Sequence, residues 1–94
     1  NYFSEAHTIT SFLIQYGATG NSVSDACTLY NKHGVSGTSY AISTITMGTT
    51  APANEPLINT GIGSSVAAGD SLYVTCLVGA SDTLGWISAT VAFQ

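Results

Sequence analysis

The sequence predicts an all-β fold: a single-domain antiparallel β-sandwich, jelly-roll-like in outline. Three observations carry that expectation. Runs rich in Val, Ile, Thr, Tyr and Phe recur along a chain of 94 residues, with clusters of Gly, Ser, Asn and Pro between them. The clearest runs alternate with period two, as half-buried strands do. Helical spacing with caps is missing; at most one short turn fits near Ser22 to Ala26.

The first strand is expected over His7 to Tyr16, with Phe12, Ile14 and Tyr16 on one face and Leu13 and Gln15 on the other. Gly17-Ala18-Thr19-Gly20-Asn21 reads as its terminating turn. Ala26 to Tyr30 is a second strand, and Asn31-Lys32-His33-Gly34 a tight turn. A third spans Ser39 to Met47; its apolar parity slips between Ile42 and Ile45, which implies a bulge or burial on both sides. Gly48 to Pro56 is a loop whose two prolines cannot serve a central ladder. Leu57 to Ile62 is a short strand before a Gly-Ser bend. Then Leu72, Val74, Cys76 and Val78 alternate with Tyr73, Thr75 and Leu77. In the final strand Ile87, Ala89, Val91 and Phe93 alternate with Trp86, Ser88, Thr90 and Ala92. The link Gly79 to Gly85 has the length of a hairpin loop, which would put Tyr73 and Trp86 on neighbouring strands, facing outward together. No linker or repeat divides the chain, so residues 1–94 are expected to form one domain, with residues 1–6 as a docking arm.

Charge is scarce. Only 6% of residues are charged, where a soluble domain averages about 25%. Lys32 is the single base; Glu5, Asp25, Glu55, Asp70 and Asp82 stand apart from one another. A net charge of −4 with one lysine cannot form the basic patch that nucleic acid or an anionic membrane requires. A surface of hydroxyls and amides is covered at little desolvation cost, because no ion must be stripped of water. Such a surface suits packing against copies of itself or against a larger shell. No apolar run approaches the roughly 18 residues of a spanning helix.

Chemistry finds little support. His33 sits in a turn, where a solvated ring is the default, and His7 reads as an edge or interface residue. No G-x-S-x-G pattern accompanies them, and the five acids suggest no glycosidase pair. Metal spacing, a phosphate-cradling glycine motif and an N-x-S/T acceptor are absent, so no cofactor is expected. Gly69-Asp70 is best read as a turn, the glycine supplying positive φ and the aspartate bonding local backbone. Cys27 and Cys76 are too far apart for a CxxC pair; buried free thiols are the first reading and a Cys27–Cys76 disulfide the second. Tyr2, Tyr16, Tyr30, Tyr40, Tyr73 and Trp86 offer flat faces to a glycan, although aromatics on strands more often pack cross-strand neighbours.

Three segments carry a resemblance. Val66-Ala67-Ala68-Gly69-Asp70-Ser71-Leu72-Tyr73-Val74 resembles the approach to the penultimate strand of small viral jelly-roll domains, and Trp86-Ile87-Ser88-Ala89-Thr90-Val91-Ala92-Phe93 their final strand. Cys27-Thr28-Leu29-Tyr30-Asn31 followed by Gly34 is similar to their early strand and turn. Phage capsid decoration (cement) proteins and head- and tail-fibre modules share this plan. The resemblance spans about half the chain, transfers no catalytic residue, and implies a structural role at a virion surface, commonly as a trimer. The chain is short for eight full strands.

The expected function is therefore a non-enzymatic virion structural protein, a decoration or fibre-like homo-oligomer docked on a capsid or fibre protein. Tyr2, Phe3, Tyr73 and Trp86 are its expected interface residues. The alternatives are a carbohydrate-binding module on a virion or cell surface, and a subunit of an extracellular filament that donates an end strand to the next copy.

Overall fold

The first strand sets the core. The computed structural model describes residues 2–19, 25–47, 56–79 and 83–94. β1 (His7–Thr19) buries Ile9, Phe12, Ile14 and Tyr16 along one face, each at most 3% exposed. The row changes parity between Ile9 and Phe12 because the pairing slips between Ile9 and Ser11, a bulge that re-aims the strand. β1 also runs past Tyr16, where the sequence suggested a turn. Gly17 sits directly opposite Trp86 in the ladder, so pairing, not a bend, uses this glycine.

The remaining strands are β2 (Ala26–Lys32), β3 (Ser39–Thr46), β4 (Leu57–Val66), β5 (Ser71–Leu77) and β6 (Thr83–Phe93). They form two three-stranded sheets ordered β4-β1-β6 and β3-β2-β5, with every pairing antiparallel. Among the described residues there is no helix. The all-β sandwich expected from the sequence is thus present. Pairings are nested, first strand with sixth and second with fifth, while β3 approaches β4 across the sheets. Each sheet has three strands, where a full jelly roll has four.

β2 supplies the opposing half of the core through Cys27 and Leu29, both fully buried. Ile45, Met47 and Val66 complete it, and Ile42, Ile62, Leu72, Val74 and Val91 pack at its margin. The parity slip in β3 matches a register shift opposite Leu29/Tyr30, where Ser43 and Ala41 are paired and Ile42 is skipped. β4 is longer than the short strand expected over Leu57 to Ile62. Gly61 and Gly63 adopt positive φ (66° and 71°), so the presumed Gly-Ser bend is an irregularity inside the strand. Asn59 closes the β3–β4 side by donating to Ser43 Oγ (2.7 Å) and to the Thr44 carbonyl (3.1 Å).

The largest departure concerns the link from β5 to β6. It does not close a hairpin: β5 pairs with β2 and β6 with β1, so the chain crosses from one sheet to the other. Alternation gives the face of each strand but not its partner. Residues 80–82 of that link, the turn suggested at Ser22 to Ala26 (residues 22–24), and residues 48–55 of the proline-containing loop lie outside the described residues.

The two cysteines are bridged, not free. Cys27 and Cys76 are direct partners in the β2–β5 ladder, with Cα atoms 4.1 Å apart and both side chains on the inner face. The bond ties edge strand β5 to central β2 and closes a loop of 49 residues in sequence. In the chain-entropy account a loop of that length contributes about 4 kcal/mol. Replacing both cysteines by alanine is expected to lower stability by about that amount, read as a reduced urea midpoint. An unchanged midpoint would show that the bond does not constrain the unfolded chain.

Candidate functional site: an uncharged apolar rim

Four of the six strands are sheet edges, and the core does not reach all of them. On β6 the inward row is Ile87, Ala89, Val91 and Phe93, paired with Tyr16, Ile14, Phe12 and Ile9 of β1. Only Val91 is partly buried; Ile87 and Phe93 stay 38% and 49% exposed on the face that should be interior. Among the described residues β5 and β6 share no contact as extensive as the one that closes β3 on β4. Among the described residues the side of the sandwich opposite Asn59 is therefore open. At the end of β5, Leu77 and Val78 add further exposed apolar surface, Leu77 at 72%.

Of the four expected interface residues, Tyr73 and Trp86 are both exposed, but on different sheets. Tyr73 lies on the outer face of β5, stacked on its ladder partner Tyr30 with centroids 5.1 Å apart and planes 10° from parallel. That is cross-strand packing with one ring face already used. Trp86 lies on the outer face of β6, with its indole over Gly17; a Cβ at Gly17 would collide with the ring. Gly17 makes room for the indole, and the ring shields a backbone that has no side chain of its own. Half of Trp86 remains solvent-exposed.

Tyr2 and Phe3 behave differently from a free arm. Tyr2 is 74% exposed, but Phe3 is fixed by two backbone hydrogen bonds: its N–H donates to the Asp70 carbonyl and its carbonyl accepts from the Gly69 N–H, both at 2.8 Å. Its ring meets Phe93 edge-on at 5.2 Å and His7 at 5.5 Å. Residues 2–6 are therefore anchored to the domain at Phe3. His7 contacts Phe93 as well, and its 3.8 Å approach to exposed Glu5 contributes little. Of the six candidate glycan-stacking aromatics, Tyr16 is buried and donates to the Met47 carbonyl at 3.1 Å. Burial, with the nearby charge of Asp25, raises its phenol above the ordinary value.

Beneath Phe3 lies a polar knot centred on Asp70, a residue only 4% exposed. Its Oδ2 accepts from the Ala67 N–H (2.9 Å), His33 Nδ1 (3.0 Å) and Asn31 Nδ2 (3.1 Å). An ionised carboxylate only accepts, so His33 donates from Nδ1. The turn is as the sequence indicated, with Gly69 at φ 89°. The links to Asn31 and His33 are what sequence reading missed. His33 lies exposed in its turn, as the sequence implies, with half its side chain in solvent, and it also pins the β2–β3 turn to the β4–β5 turn. The signal was Asn31-Lys32-His33, two polar side chains on alternate positions at a strand end, but only strand pairing brings them to Asp70. These three contacts order two chain segments, the end of β2 with its turn and the β4–β5 turn.

The concavity beside the knot, lined by Tyr2, Phe3, Ser71 and Leu72, has a volume of about 260 Å³, below the roughly 300–1,000 Å³ usual for small-molecule sites. No group of three or more His, Cys, Asp or Glu among the described residues is arranged to hold a metal.

Comparison with known proteins found no matching family model, no matching curated protein and no matching solved structure.

Two outcomes follow from this geometry. The hydrogen bond from Ala67 and that from His33 hold the Asp70 carboxyl at about 2, below its ordinary 3.8. A depressed carboxyl stabilises the fold above its ordinary value and loses that contribution as pH falls towards about 2. Urea midpoints should therefore decline between about pH 4 and pH 2, and Asp70→Asn should flatten that decline while lowering the plateau. A parent and variant with parallel acid limbs would contradict this role. Separately, Gly17→Ala should push the only tryptophan off β1 and shift its fluorescence maximum; an unchanged spectrum would contradict the contact.

Proposed function

We propose that this chain is a non-enzymatic structural subunit that works by association: with its own copies, and with a capsid or fibre protein at a virion surface. The observation that carries the reading is the open, uncharged rim. A domain this small leaves Ile87, Phe93, Trp86, Leu77 and Val78 exposed while placing almost no charge anywhere. Exposed apolar surface of this kind marks interaction sites, and covering it costs little desolvation. The virion setting rests on the likeness of Val66–Val74 and Trp86–Phe93 to viral jelly-roll strands. The anchored N-terminal segment narrows the docking groups there to Tyr2 and its neighbours, since Phe3 is already used.

The test is solution mass by light scattering from dilute to near-millimolar protein, for the parent and for Trp86→Ala. Concentration-dependent association is expected, weakened in the variant with its circular dichroism unchanged. A parent monomeric throughout would contradict self-association, and a variant that associates as well as the parent would remove Trp86 as an anchor. A fluorescence response to a glycan array would instead favour carbohydrate binding.

A further inference from the structure

We infer that β6 is a pairing edge for a second copy of itself, joined antiparallel into one continuous six-stranded sheet. This inference rests on the association reading above and specifies which surface carries it.

The backbone supplies the first support. Gln94 and Thr8 exchange both hydrogen bonds, N–H to O at 2.9 and 2.8 Å. In an antiparallel ladder such reciprocal pairs alternate with pairs whose N–H and C=O groups point away from the neighbour. Counting back along β6, Phe93, Val91, Ala89 and Ile87 direct their backbone groups to the free edge. Their side chains form the incompletely covered inner row. One set of residues thus carries both the unpaired backbone and the exposed apolar surface.

The second support is the lack of protection. Natural edges are blunted by charge, proline, bulges or shortness. β4 carries the glycine irregularity, β3 is tied across by Asn59, and β5 has seven residues. From Trp86 to Phe93, β6 has no charged residue, no proline and, apart from the slip at the far end opposite Ile9/Ser11, an unbroken register.

The third support identifies the occupant. A strand that fits here must be uncharged and apolar at alternate positions on one face; β6 meets both conditions. A two-fold axis normal to the sheet pairs Ile87 with Phe93 of the other copy and Ala89 with Val91. That register satisfies all four outward residues of both strands and keeps the two apolar rows on the same face. With no charge on either edge, no like-charge contact opposes the approach. The paired stretch is about 24 Å long and, one sheet layer deep, buries on the order of 500 Å² in total, against about 1,200 Å² for a stable interface. The pair is therefore concentration-dependent, formed when copies are held close together.

Ala89→Pro tests this directly, since it removes an outward N–H and leaves the β1–β6 hydrogen bonds intact. Ala89→Lys and Ala89→Glu provide variants that keep the backbone unchanged. Light scattering should show association of the parent and loss of it in all three, with unchanged circular dichroism. Mixing the Lys and Glu variants should restore a 1:1 pair, because the two positions are diagonal neighbours across the axis. If the parent associates and these variants associate equally, the β6 edge is overturned while the structural-subunit reading stands. If each charged variant is monomeric and their mixture is too, two-fold β6 pairing is overturned. A parent that never associates overturns both.

Discussion

Two strands packed back to back govern this molecule. β1 contributes Ile9, Phe12, Ile14 and Tyr16, β2 contributes Cys27 and Leu29, and among the described residues six of the nine buried apolar ones thus fall on that pair. In a sandwich of two three-stranded sheets only the middle strands have neighbours on both sides. The other four strands are edges and depend on β1 and β2 for most of their contacts. Small domains bury a limited fraction of their surface, and here the shortfall is concentrated at the rim.

Each edge meets that shortfall in its own way. β5 is held by the Cys27–Cys76 bond, β3 and β4 by Asn59, and the turns at one end by Asp70, His33 and Asn31. β6 has the β1 ladder and, at one end, the rings of Phe3 and His7. Its inner row is left open. The physical consequence is a domain held by its disulfide and core, with one apolar edge strand left unpaired on its outer side. The low charge of the chain works in the same direction, since β6 itself carries no charged residue.

Much of this was legible in the sequence. Alternation gave the strands and their faces, because a half-buried strand must alternate; the bulge in β3 announced itself as a parity slip at Ile42 and Ile45. The exposure of Tyr73 and Trp86 also followed from parity. What alternation could not convey was partnership. Tyr73 and Trp86 fall on separate sheets because the chain crosses over after β5, and no local pattern encodes that choice. Glycine was equally ambiguous: Gly17 looked like a stop but is a vacancy for an indole, and Gly61 and Gly63 looked like a bend but lie within β4. The Asp70 knot draws on residues nearly forty positions apart, so only the β2–β5 pairing makes it visible.

The central claim is that the free edge of β6 is completed by another copy. Amide hydrogen exchange at low and high protein concentration tests it residue by residue. The account predicts rapid exchange at Ile87, Ala89, Val91 and Phe93 in dilute solution, and protection of those four amides as concentration rises. Ser88 and Thr90, already bonded to β1, should be protected at both. Four amides that stay unprotected in associated protein, with protection arising elsewhere, would contradict it.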